Sequence, residues 1–257
     1  MIQLKSQREL EKMRVAGRHV AEILLLAVEM SKPGVTTGEI DETVRRQIEK
    51  RQLGSSFLGY NPGAAPPFPA VICTSLNEEI VHGIPGRREL VEGDLLKLDF
   101  GVIFEGFHGD SAVAIQVGRR DPEVEQLQQA TLKSLYAGVE QMRPGRRLGD
   151  VSHAVQGAVE ACGFAVVRDF VGHGIGRQLH EPPQLPNFGP AGRGPRLREG
   201  MVLAIEPMVN DGGPDVELLD DGWTAVTADR SLSCHYEHTV AITANGPEIL
   251  TRVEGSH

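Results

Sequence analysis

Two acids, Asp99 and Asp110, sit inside runs that are otherwise apolar, in the stretch LLKLDFGVIFEGFHGDSAVAIQV at 95–117. Glu105-Gly106 divides the stretch with a tight-turn signal, and the β-rich runs on either side predict a hairpin. With Glu105 and Gly106 as a two-residue loop, Phe104 faces Phe107 and Asp99 faces Ala112. Asp110 lies two residues from Ala112, so both carboxylates point to one face as diagonal neighbours. Like charges that close, on a covered face, repel and lose hydration unless cations sit between them. A hairpin with one solvated polar face would carry the same residues, so the hairpin alone leaves both readings open.

The second half of the chain repeats the arrangement. Residues 138–164 fall on 27–53 with a shift of 111, so that Pro33/Pro144, Gly34/Gly145 and Gly38/Gly149 coincide. The segment Glu92–Asp99 parallels Glu199–Glu206, and Asp110–Ile115 parallels Glu237–Ile242. Three segments recurring in the same order indicate an internal duplication, one domain over 1–257 built of halves near 1–120 and 121–257. Asp99 then has Glu206 as its counterpart, and Asp110 has Glu237. If the halves pack about a pseudo-two-fold axis, four carboxylates converge at its centre. Two divalent cations would balance four negative charges, with carboxylates bridging ions roughly 3.5–4 Å apart.

Such a cluster needs a neutral ligand or proton carrier. VGHGIGRQLHE at 171–181 places His173 and His180 seven residues apart between glycines, which allow close backbone approach. His82, in IVHGIPG, lies on a turn ahead of the hairpin and can face the same centre. One histidine as ligand and the others as substrate-facing groups is the reading. His19, His108, His153, His235 and His238 are read as ordinary structural or solvated histidines, and His257 closes the chain. Trp223 follows Asp220-Asp221-Gly222 on a turn, where it either packs in the core or walls a pocket.

Helices must position these groups. Ser6 and Glu9 form a capping box, and Leu10, Met13, Val20, Leu24 and Ala27 follow at helical spacing up to about Met30. A second helix, capped at Thr36 or Thr37, carries Ile40, Val44 and Ile48 on one face. Val71–Thr74 reads as a strand, and Gly54–Ala70, rich in Gly and Pro, as a surface or site-lining loop. Asp121 caps a third helix with Pro122 in its first position, and the Pro-Gly break then leads into a fourth, as in the first half.

The totals are those of a globular chain: 40% apolar and 24% charged among 257 residues. A net charge of −9 argues against general affinity for a nucleic-acid backbone. Cys73, Cys162 and Cys234 are widely spaced, which points to a reducing, cytoplasmic setting. The N-terminal stretch lacks the apolar core of a signal peptide, and the longest apolar run, Ile23–Val28, is far too short to span a bilayer.

Five motifs together resemble the methionine aminopeptidases of type I: NEEIVHGIPG (77–86), LDFGV…GFHGDSA (98–112), VGHGIGRQLHEPPQ (171–184), MVLAIEPM (201–208) and DGWTAVTADRSLSCHYEHTVAIT (221–243). The resemblance implies the pita-bread α/β fold, a pseudo-two-fold antiparallel sheet with helices outside. It implies that Asp99, Asp110, His173, Glu206 and Glu237 hold two divalent ions (Co, Mn, Fe or Zn). It makes His82 and His180 the histidines that contact substrate, and Glu206 the carboxylate that shuttles the proton. A methionine pocket would be formed by Tyr60, Phe68, Cys73 and Trp223. The implied reaction removes the N-terminal methionine from nascent chains whose second residue is small. The implied setting is a cytoplasmic monomer meeting nascent chains, at the ribosome among other places, with no specific nucleic-acid or membrane partner.

Two departures stand out. The loop from Tyr60 to Cys73 is long and Pro-rich, with Phe68 where the family commonly has tyrosine. Lys97 lies near a position that the family uses, with Ser233, for a monovalent cation; its ammonium replaces that ion, or it sits on the other side of the strand. The competing readings are an aminopeptidase P or prolidase, whose relatives carry a further N-terminal domain, a type II enzyme, for which the 31 positions from Glu206 to Glu237 leave no room, and a binding module that has lost its metals.

Overall fold

The computed structural model describes residues 2–63 and 66–252. Ala64 and Ala65 of the Pro-rich loop, and His257, lie outside these described residues. Four helices are present among them: α1 (Gln7–Met30), α2 (Thr37–Lys50), α3 (Pro122–Gln141) and α4 (Leu148–Glu160). Ser6 and Thr36 cap α1 and α2 in reciprocal boxes with Glu9 and Glu39. Asp121 caps α3 ahead of Pro122. For α4 the first-turn Asp150 accepts from the backbone N–H of Arg147 at 2.8 Å.

Each helix pair turns on a Pro-Gly step. Gly34 and Gly145 have φ of 88° and 90°, the left-handed region where a side chain would be strained. Gly34 N–H donates to Leu90 O at 2.8 Å and Gly145 N–H to Leu197 O at 3.0 Å, so both turns are tied down alike. α1 and α3 end 111 positions apart (30 and 141), and α2 and α4 begin 111 apart (37 and 148).

The helices back a curled, nine-stranded antiparallel sheet. Its strands follow the order Gly54–Ser55, Leu95–Phe104, Phe107–Gln116, Glu237–Thr243, Val202–Ile205, Gly172–Gly174 and Glu181–Leu185. Cys73–Leu76 adds to the Leu95–Phe104 strand and Gly246–Ile249 to Glu237–Thr243. The hairpin has the expected register: Phe104 pairs with Phe107, and Asp99 with Ala112. Glu105 and Gly106 both have positive φ, the geometry of a two-residue loop that matches strand twist. One strand begins later than expected. Val71 N–H is taken by the Asp41 carboxylate at 2.7 Å, so the ladder starts at Cys73, opposite Asp99, and ends at Leu76.

One apolar cluster joins α1 and α2 to Leu96, Leu98, Phe100 and Val102 of the hairpin. A second joins α3 and α4 to Leu203, Ile205, Val240 and Ile242. Each fully buried large side chain contributes about 1.5–3 kcal/mol, and these clusters hold the central strands from behind while their other face meets the acids. Among the described residues no helix is long and apolar enough to cross a membrane, and Cys73, Cys162 and Cys234 are free thiols.

Candidate metal centre and pocket

Strand register gathers the acids. Asp99 and Glu237 both pair with Ala112, from opposite sides, and Asp110 lies two residues along the middle strand on the same face. His238 pairs with Ile205, so extending that ladder by one residue sets Glu206 opposite Glu237. His173 pairs with Ala204, two residues before Glu206. One ligand atom each from Asp110, His173 and Glu237 lies within 4.8 Å of the others. His173 Nε2 is 3.5 Å from Glu206 Oε1.

The electrostatics are those of a site short of positive charge. Burial raises Asp99 to about 7. Burial first, then the neighbouring carboxylates, hold Asp110, Glu206 and Glu237 well above the usual carboxylate range. Asp99 Oδ1, Asp110 Oδ1 and Glu237 Oε1 are buried with no hydrogen-bond partner. Buried carboxylate oxygens left this way cost free energy that a divalent cation would recover. The donor set, carboxylates plus one imidazole, suits such ions. The residues therefore fit a divalent metal.

His173 has the tautomer and charge that a metal ligand needs. Its Nδ1 lies 2.9 Å from Gly174 O, which only accepts, so Nδ1 carries the proton and the Nε2 lone pair faces the acids. Burial, then His180, pushes its pKa down to about 3, so the imidazole is neutral and its contact with Glu206 is not an ion pair.

All eleven residues singled out in the sequence line one cavity of about 520 Å³. Beyond the acids and His173, it is walled by Tyr60, Phe68, Cys73, His82, His180 and Trp223. Phe68 and Trp223 meet edge-to-face at 5.2 Å, and Trp223 Nε1–H donates to Pro66 O at 2.8 Å. The His82 ring stands edge-on to Trp223 and Phe170, and burial lowers its pKa to about 4. Tyr60 Oη is 2.6 Å from His180 Nδ1, and the His180 and His173 rings are 4.2 Å apart. Sequence reasoning missed Phe57, Leu179 and Gln184, which also line the cavity. Phe57 and Leu179 lie in irregular segments with no periodicity to reveal them, whereas Gln184 ends a motif already noted. His108, read as structural, bonds Ser56 Oγ at 2.9 Å, whereas neither ring nitrogen of the buried His235 has a partner.

A curled antiparallel sheet with a buried acidic centre at the floor of an apolar cavity is the framework of a metallopeptidase. The model of metallopeptidase family M24 matches residues 11–244. The chain is 50% identical to the methionine aminopeptidase of Clostridium perfringens, over 99% of this chain and 100% of the relative. Its structure superposes with a TM-score of 0.95 on the methionine aminopeptidase of Thermotoga maritima, at 44% identity, covering 98% and 100% of the two chains. The prolidase of Pyrococcus horikoshii shares the fold alone, at 21% identity and a TM-score of 0.74, and this chain covers 64% of it. The chain belongs to metallopeptidase family M24 and, within it, to the methionine aminopeptidases of pita-bread fold.

Proposed function

We propose that this protein removes the N-terminal methionine from peptides and nascent chains whose second residue is small, using two divalent ions held by Asp99, Asp110, His173, Glu206 and Glu237. The observation that carries this reading is the adjacency of two unlike surfaces in one cavity: a cluster of partnerless buried carboxylate oxygens beside a wall of Phe68, Cys73 and Trp223. The first suits a scissile carbonyl and a free α-amine held by cations; the second suits a thioether chain.

When bound, the ions polarise the scissile carbonyl and make water a nucleophile at neutral pH. Asp110 and Glu237, central in the ladder, would hold the ions together with Asp99, His173 and Glu206. Glu206, whose side chain is 15% exposed toward the cavity, takes the proton of the attacking water and returns it to the departing amine. With the Tyr60 hydroxyl, 2.6 Å away, as donor to His180 Nδ1, Nε2–H is left to donate to the oxygen that gains charge during attack. His82, kept neutral by burial, supplies a second imidazole at the substrate. Tyr60, Phe68, Cys73 and Trp223 take up the methionine side chain. Lys97 Nζ donates to Asn77 O at 2.8 Å, and the same carbonyl accepts from Ser233 N–H at 3.1 Å. Its ammonium thus fills the part of a monovalent cation. The two helix pairs, tied down alike, support a single domain of two duplicated halves; its proposed setting is that of a cytoplasmic monomer.

The test is a peptidase assay with added Mn(II) or Co(II) on Met-Ala-Ser, Met-Lys-Ser and Ala-Pro-Ser peptides, beside the Glu237→Ala variant. Metal-dependent release of methionine from Met-Ala-Ser alone, abolished in the variant, is the expected result. Cleavage of Ala-Pro-Ser instead would move the chain to a proline-specific activity.

A further inference from the structure

His180 stands at the end of Gly176–His180, a segment with neither helix nor strand. Its anchor is the next residue. Glu181 Oε1 accepts the N–H groups of Arg177 at 2.7 Å and Gln178 at 3.2 Å, closing the segment on itself. Glu181 Oε2 meets the Lys5 ammonium at 2.5 Å, with both side chains only 4% exposed. Lys5 belongs to the residues ahead of α1, and its own N–H donates to Gly200 O at 2.7 Å. Gly176 leaves the passage open, since a Cβ there would stand 2.4 Å from Lys5 Cε. A second tie runs beside the first: the Arg177 guanidinium donates to Glu9 at 3.1 Å and lies 4.5 Å over the Phe107 ring.

A buried ion pair is a poor device for stability, because desolvation offsets most of its attraction and a packed apolar pair serves as well. Here the carboxylate does something an apolar side chain cannot: it accepts two backbone N–H groups of the segment that carries His180. We propose that Lys5 is a positioning residue for the aminopeptidase reaction, acting through Glu181 to fix the Gly176–His180 segment and so the place at which His180 meets the substrate. This rests on the role given to His180 above. Without the ammonium, Glu181 is left as an uncompensated buried charge. That stranded charge drives the carboxylate to turn toward solvent, which weakens its hold on Arg177 and Gln178. Misplacing a substrate-contacting group by a fraction of an ångström to an ångström costs on the order of 10–100-fold in rate.

The experiment compares wild type, Lys5→Met, the double variant Lys5→Met/Glu181→Gln, and Lys5→Met in a His180→Ala background. Hydrogen exchange at the Arg177 and Gln178 amides is followed without substrate, and kcat and KM are measured on Met-Ala-Ser. Lys5→Met is expected to speed exchange at those two amides and to lower kcat about 10–100-fold with KM little changed. Adding Glu181→Gln removes the stranded charge but keeps an acceptor oxygen, so slow exchange and most of kcat return. In the His180→Ala background Lys5→Met is expected to cost nothing further. Unchanged exchange, or an equal loss of kcat in the His180→Ala background, overturns the proposal. Should the wild type release no methionine, the reading of the activity fails, and exchange in the two Lys5 variants still decides whether the clamp exists.

Discussion

Asp99 and Glu237 stand in register with the same residue, Ala112, one from each side of the middle strand. Neighbouring strands lie about 4.8 Å apart, so these two acids bracket a gap of about two strand spacings. Ala112 contributes only a methyl group to that gap, and it is buried. A larger side chain there would occupy the space that cations need. Gly101, opposite Asp110, reads the same way, since a Cβ there would lie 3.0 Å from Asp110 Oδ1.

Ala112→Val is therefore expected to abolish binding of the divalent ions while leaving the hairpin paired. Overpacking costs about 1–3 kcal/mol, less than the sheet needs to unfold. Titration calorimetry with Mn(II) shows the loss, and circular dichroism shows the retained fold. Normal Mn(II) affinity in the variant would mean that the ions lie away from this strand.

Asp99 predicts a pH effect in the metal-free protein. Its folded pKa is raised from 3.8 to about 7, so between those values the folded state holds a proton that the unfolded state has released. Its contribution to stability falls as pH rises through that window. The buried histidines pull the other way, His235 being held down to about 3, so the readout is a difference between proteins. Metal-free Asp99→Asn is expected to melt with the wild type near pH 4 and above it near pH 7.5, by thermal denaturation in the presence of chelator. A constant offset across that range would contradict the burial of Asp99.

The hairpin was legible in the sequence because its turn, its alternation and its length all specify one register. The acids followed from that register, and the second pair from the repeat. The pocket wall was not legible in this way. Tyr60, Phe68 and Cys73 sit in or beside an irregular loop, and only resemblance drew them out. Strand pairing explains Cys73, opposite Asp99, whereas Phe68 is placed by contacts with Phe57 and Trp223 that no local pattern encodes. His82 lies outside helix and strand, and its φ of 62° needs the fold to hold it. The Lys5–Glu181 pair joins positions 176 apart and has no local signature.

Phe68 sets a prediction about selectivity. It is buried, and its ring closes the cavity against Trp223. Phe68→Ala is expected to lower kcat/KM for Met-Ala-Ser by about 10–200-fold, mostly through KM, because a lost apolar contact weakens ground and transition states alike. Steady-state kinetics across methionine and bulkier N-terminal residues checks it. An unchanged KM would place the methionine side chain elsewhere.

Lys97 is 1% exposed, and burial lowers its pKa to about 8, which leaves it mostly charged at neutral pH. Lys97→Ala takes the cation from the Asn77 and Leu95 carbonyls, at the start of the Asp99 strand. Thermal stability of the variant is expected to depend on potassium, measured in potassium against choline chloride, while the wild type is indifferent. Equal responses in both proteins would deny the ammonium that part.

Tyr60 bears on the proton inventory of the site. Its hydroxyl reaches His180 Nδ1 at 2.6 Å across 120 positions of chain, and it lines the same cavity. With the phenol as donor, the tautomer would carry its hydrogen on Nε2, the one able to stabilise an oxygen gaining charge. Tyr60→Phe keeps the ring, and with it the apolar wall, but frees the imidazole to rotate or to move its proton to Nδ1. If His180 stabilises the oxygen that gains charge, as proposed, kcat is expected to fall about 10–100-fold with KM near the wild-type value. Nitrogen-15 spectra of the His180 ring distinguish the tautomers directly, Nε2–H in the wild type and a mixture in the variant. A rise in KM with kcat preserved would make Tyr60 a wall of the methionine pocket and nothing more.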